Sequence, residues 1–207
     1  SATSYAIGTG SYPQYITKMG TMMYTVNRSG YSVTPINTVT KSALSNISVG
    51  STPVDPIVVG TDLYVTNSGA GTVSVINSLT NTVSNTITIG PGSSPWGGFL
   101  VGTDLYIGNN GSSSVSVIDT VTKAVTNVIP VGNSATGIRA FGLVGSKLYV
   151  TNYNSNSVSV IDTVAKTVIT TIPVGSRPFT IEVLGTNVYI GNQSSGNVSV
   201  IDSVLDA

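Results

Sequence analysis

Lys147-Leu148-Tyr149-Val150-Thr151-Asn152 is followed by Tyr153-Asn154-Ser155-Asn156 and then by Ser157-Val158-Ser159-Val160-Ile161-Asp162. After Thr163-Val164-Ala165-Lys166 comes Thr167-Val168-Ile169-Thr170-Thr171-Ile172-Pro173-Val174-Gly175. β-Branched residues, tyrosine and small hydroxyl residues fill three short runs, and Asn, Ser and Asp separate them. That is strand composition punctuated by turn composition. The Asx residues suit tight hairpins, where they bond nearby backbone amides and tolerate a positive φ.

The stretch is one copy of a repeat. Tyr24, Tyr64, Tyr106, Tyr149 and Tyr189 recur at spacings of 40, 42, 43 and 40, and Ile36, Ile76, Ile118, Ile161 and Ile201 keep step with them. Gly10, Gly50, Gly90, Gly132 and Gly175 form a third set. A run such as Thr180-Ile181-Glu182-Val183-Leu184, entered through a Gly-x-x-Pro corner (Gly175 to Pro178), supplies one more strand ahead of each tyrosine. Units of about 40 residues with four antiparallel strands are the signature of β-propeller blades. The expectation is an all-β, five-bladed propeller forming a single domain over 1–207. Its blades fall near 11–50, 51–90, 91–132, 133–175 and 176–207.

Tyr64-Val65-Thr66-Asn67 and Tyr149-Val150-Thr151-Asn152, with the Val-Ser-Val-Ile-Asp-Thr and Ile-Pro-Val-Gly strings, resemble the YVTN β-propeller repeat family over essentially the whole chain. The first copy departs from it: Tyr24-Thr25-Val26-Asn27 exchanges the middle residues, and Pro35 is expected to interrupt the third strand. Five copies in place of the family's usual seven are a second departure. The resemblance implies the fold and a secreted or cell-surface setting, and no particular activity.

The last copy stops after its third strand. Tyr5-Ala6-Ile7-Gly8-Thr9 aligns with the fourth strand of the other copies. Residues 1–10 are therefore expected to complete the last blade, either of their own chain or of a neighbouring subunit by strand addition.

Composition excludes much chemistry. The chain has no His and no Cys, Glu182 is its one glutamate, and only 8% of residues are charged, eight basic against eight acidic. Ser-His-Asp and Cys-His catalysis, zinc fingers and disulfides are out of reach. A balanced, charge-poor surface offers nothing to nucleic acid, and no stretch is long and apolar enough to insert into a membrane. With hydrophobic residues at 40%, the chain is not a disordered one. No catalytic residue, metal or cofactor is assigned. Asp119, Asp162 and Asp202 are read as turn caps, and the repeated tyrosines as packing between blades.

Every length change lies between the corner Gly and the Tyr, which points to the corner face as a binding face. Asp55, Trp96, Arg139, Phe179 and Glu182 lie in that segment and are the candidate ligand-binding residues. Asn27, Asn46, Asn110, Asn192 and Asn197 head Asn-x-Ser/Thr sequons and are candidate glycosylation sites. The hydroxyl-rich surface suits an exported protein. The expected role is a non-enzymatic extracellular structural or adhesive module. It would associate with itself or with cell-surface or matrix components, and could serve as the repeating subunit of a fibre. A lectin-like propeller binding carbohydrate is the alternative. A lactonase- or glycosidase-like enzyme is more remote, and Asp55 and Glu182 would have to supply a glycosidase's paired carboxylates.

Overall fold

A computed structural model describes Ser4, residues 11–132 and residues 137–206. No helix occurs among these residues, and the strands form five antiparallel sheets. The first holds β1 (Pro13–Met19), β2 (Met22–Asn27), β3 (Ser32–Asn37) and a fourth strand in two pieces, β4 (Ser42–Ala43) and β5 (Ile47–Ser48). The second holds β6 (Pro53–Val59), β7 (Asp62–Asn67), β8 (Thr72–Asn77) and β9 (Thr82–Thr88). The third holds β10 (Pro95–Val101), β11 (Asp104–Asn109), β12 (Ser114–Asp119) and β13 (Ala124–Pro130). The fourth holds β14 (Ile138–Val144), β15 (Lys147–Asn152), β16 (Ser157–Asp162) and β17 (Thr167–Pro173). The fifth holds three strands, β18 (Pro178–Leu184), β19 (Asn187–Asn192) and β20 (Asn197–Asp202). The donor strand expected at Tyr5, Ala6, Ile7, Gly8 and Thr9 lies outside the described residues.

Contacts divide the chain into two compact units, Ser1–Pro95 and Trp96–Ala207. In the first, Tyr24, Val26, Val33 and Ile47 of the first sheet pack on Leu63, Val65 and Ile76 of the second. In the second unit the pattern repeats twice. Tyr106, Val115, Val117 and Ile129 meet Leu148, Val150 and Ile161. Tyr149, Val158, Val160 and Ile172 meet Val188, Ile190 and Ile201. Within each unit, a sheet thus offers a face built on its Tyr and its third-strand Val residues to the sheet that follows. Burial of each Val or Ile is worth about 1.5–3 kcal/mol. The tyrosine hydroxyls reach across as well: Tyr106 donates to the Thr163 carbonyl at 3.2 Å, and Tyr149 to Asp206 Oδ1 at 2.9 Å.

The remaining letters of the Tyr-Val-Thr-Asn signature hold each sheet together. The Thr151 hydroxyl accepts the Arg139 and Ala140 amides at 3.2 and 3.0 Å, where β14 bulges against β15. Thr66 accepts the Asp55 amide in the same way. The Asn side chain closes the other hairpin. Asn152 Nδ2 donates to Ser157 and Ser159 at 3.1 and 2.9 Å, and Asn109 donates to Ser114 and Ser116 at 3.0 and 2.8 Å. These amides also account for a recurring glycine, because a Cβ on Gly50 would lie 2.8 Å from Asn67 and one on Gly175 2.6 Å from Asn192.

Pro35 does not interrupt its strand, contrary to the expectation from its sequence. β3 runs through it, paired with Tyr24 of β2. The break falls on the neighbour instead. The Leu44 amide still donates to the Pro35 carbonyl at 2.8 Å, but Pro35 has no N–H to return, and the fourth strand splits into β4 and β5 there.

Candidate functional site

Two features stand out from the repeat. The first is the face of the fifth sheet turned away from the fourth. Val115, Val117, Val158 and Val160 are fully buried, whereas their counterparts Val198 and Val200 on β20 are 61% and 52% exposed. Tyr24, Tyr64, Tyr106 and Tyr149 are fully buried, whereas Tyr189 is only half-buried and its hydroxyl has no partner among the described residues. β20 pairs with β19 on one side and with no described strand on the other. Among the described residues, nothing covers this apolar surface and no strand pairs with the edge beside it.

The second feature is a cluster in the unit Trp96–Ala207. The bulge that Thr151 stabilises aims Arg139 from the start of β14. Its guanidinium carbon lies 5.3 Å from the ring centre of Trp96 on β10, 5.2 Å from that of Tyr153 and 6.0 Å from that of Phe179 on β18. Arg177, in the turn before β18, stands 5.6 Å from the same Tyr153 ring. Tyr153 and Phe179 meet edge to face at 6.1 Å, and the Tyr153 hydroxyl donates to Gln193 Oε1 at 2.7 Å. Three of the five candidate ligand residues, Trp96, Arg139 and Phe179, therefore gather around one guanidinium. Tyr153 and Arg177 belong with them and were not singled out from the sequence. The available signal for Tyr153 was its position directly after Asn152, where the other copies carry Arg28, Ser68, Asn110 and Gln193.

Glu182 is not in this group. It is exposed on β18 opposite Tyr189, beside a hollow of about 270 Å³ lined by Phe99, Phe141 and Leu143. Asp55 belongs to the first unit, on β6.

The turn carboxylates are occupied locally. Asp119 Oδ1 accepts the Val121 and Thr122 amides at 2.9 and 2.7 Å, and Asp162 Oδ1 accepts those of Val164 and Ala165 at 2.8 and 3.0 Å. These bonds hold both carboxyls below the usual carboxylate range. Among the described residues no three metal-ligating side chains come together.

Two of the five sequon asparagines lie inside the fold. Asn27 and Asn192 are buried, and their amides are bound to Ser32 and Thr34 and to Asn197 and Ser199. A glycan there would have to displace a closed hairpin. Asn46 and Asn197 are exposed, and Asn110 is half-buried with its Oδ1 enclosed.

No protein-family model matches the sequence, and no curated protein is similar to it. Solved structures are similar in fold. The WD40 β-propeller domain of Doa1 superposes with a TM-score of 0.67 at 11% identity, over 89% of this chain and 62% of that one. The fold is of the β-propeller type. A catalytically inactive virginiamycin B lyase from Staphylococcus aureus matches with a TM-score of 0.80 at 12% identity, over 96% of this chain and 69% of its own. Hydrazine synthase from Kuenenia stuttgartiensis matches at 0.74 and 21% identity, over 96% of this chain and 68% of its own. At such identities the likeness extends to the propeller architecture alone. The chain spans 62–69% of the length of these three proteins.

Proposed function

We propose that this chain is a non-catalytic structural module of an extracellular assembly, a YVTN-like five-bladed propeller that polymerises by lending part of itself to the next copy. The carrying observation is the uncovered face and edge of the fifth sheet, with Val198 at 61% and Val200 at 52% exposure where every internal counterpart is buried. Residues 1–10 of a neighbour complete the β20 edge. The neighbour's first sheet then covers Tyr189, Val198 and Val200 as the fifth covers the fourth. The first sheet is suited to this role, because Ile16 on β1 is itself 60% exposed. Strand addition of this kind gives head-to-tail, open-ended growth. The neutral, hydroxyl-rich composition and the lack of cysteine support an exported setting, and no described helix is long and apolar enough to cross a membrane.

The test compares the full chain with one lacking residues 1–10, by light scattering after gel filtration and by negative-stain microscopy. The full chain is expected to form fibres or a size ladder, and the truncated chain to stay monomeric with an unchanged β circular-dichroism spectrum. Discrete monomers of the full chain at every concentration would overturn the proposal, and would mean that residues 1–10 close their own fifth sheet.

A further inference from the structure

We propose that Arg139 and Arg177, set around Tyr153, form a binding site for an acidic saccharide, with the guanidiniums taking a sugar carboxylate. The charge balance of the unit Trp96–Ala207 points there. Lys147 is paired with Asp206 at 2.6 Å and Lys166 with Asp104 at 2.8 Å. Arg139 and Arg177 have no carboxylate partner among the described residues, and the remaining residues of the chain include no Asp or Glu. Two like charges thus share one tyrosine ring without an anion between them.

Arg139 is the more constrained of the two. Three rings hold its guanidinium, and its Nε is buried without an acceptor among the described residues. A buried N–H left unpaired is costly, so a site built this way is unsatisfied until an acceptor arrives. The rings replace only part of the lost hydration, since cation–π contacts contribute about 0.5–2 kcal/mol. A planar guanidinium held in place offers the fork that matches a carboxylate, with two parallel hydrogen bonds.

The surroundings select a sugar over a bare anion. Asn154, Asn156, Ser176, Arg177 and Ser194 line a hollow of about 500 Å³, within the usual range for ligand sites. Its amides and hydroxyls complement sugar hydroxyls, and it contains no acid to repel an anion. Asn156 already anchors the Arg177 backbone, accepting its amide at 2.9 Å. Phe179, 44% exposed, floors a second hollow of about 430 Å³ with Gln193 and Asn197 on its wall. An exposed ring beside neutral hydrogen-bonding groups is a stacking platform for the apolar face of a pyranose. A hexuronate satisfies all three features together: its carboxylate, its hydroxyls and its ring face.

Trp96, the only tryptophan, lies against Arg139 and reports on the site. Titration of the full chain with tetragalacturonate, followed by Trp96 fluorescence and by calorimetry, should saturate, and should weaken as salt is raised. Maltotetraose and inorganic phosphate should each bind at least tenfold more weakly. R139Q and R177Q should each lower tetragalacturonate affinity tenfold or more by calorimetry. Arg177 is exposed in a turn, so R177Q keeps the test decisive should R139Q fold poorly. Wild-type affinity in R177Q overturns the proposal. So does equal binding of maltotetraose, which would leave the guanidiniums without a role, or of phosphate, which would leave the sugar groups without one. Neither substitution lies in residues 1–10 or β20, so gel filtration of each variant reads assembly separately from its saccharide affinity.

Discussion

One residue of each repeat shows how a single side chain can serve two sheets. Tyr106 is fully buried, gives its hydroxyl to the Thr163 carbonyl, and lies near Asp104 and Asp162. Loss of hydration, reinforced by those two carboxylates, pushes its pKa up to about 12, against about 10 for a free tyrosine. Tyr24 and Tyr149 are raised for the same leading reason. The folded state therefore keeps its proton where the unfolded state has lost it. The stabilisation is complete below about pH 10 and is lost as pH rises through about 12. Urea midpoints should be flat up to about pH 10 and then fall, with phenolate absorbance of the buried tyrosines appearing only as the chain unfolds. Y106F should soften that fall. Ordinary titration of every tyrosine in the intact fold would refute the assignment. The packing role of these tyrosines was legible from their period. The partnership of Asn152 with Ser157 and Ser159 was not. The serine of Val-Ser-Val reads as a small spacer, and only the fold shows that positions five and seven after the asparagine bring hydroxyls onto one amide.

At the scale of strands and sheets, the period, the turns and the order of the four strands could all be read in advance, because alternation and Asx-rich hairpins are local signals. The split fourth strand of the first sheet could not. The missing N–H of Pro35 acts on its neighbour, a non-local effect of a local residue. The ion pairs are likewise visible only in the fold. Asp104 meets Lys166 across one interface, while Lys147, at the position equivalent to Asp104, meets Asp206 across the next. The reversed polarity means that the fifth sheet docked on the third would set Asp206 against Asp104. Equivalent positions also differ in what surrounds them. V160S should cost about 2–3 kcal/mol in denaturant unfolding, since it removes a methyl pair from a closed interface and buries a hydroxyl there. V200S, at the same repeat position on the exposed face of β20, should cost under about 0.5 kcal/mol in dilute monomer. It should nonetheless suppress assembly. Equal destabilisation by the two changes would mean that Val200 is covered within its own chain.

For the whole molecule, the repeat announced five sheets and a spare strand, yet pairing within a chain and between chains uses the same residues and the same hydrogen bonds. Sequence is silent on that choice by its nature, because strand addition is indifferent to the covalent origin of the strand. Thermodynamics is not indifferent. A fifth sheet completed by its own chain forms in a unimolecular step, so its melting temperature is independent of protein concentration. One completed by a neighbour is stabilised by mass action, and each tenfold rise in concentration adds up to about 1.4 kcal/mol per interface. For a chain of this length that corresponds to at most roughly 3–6 °C in melting temperature. Scans of the full chain over a hundredfold range of concentration should therefore show a rising melting temperature, and the chain lacking residues 1–10 should show none. A concentration-independent melting temperature in the full chain would place the strand within its own molecule.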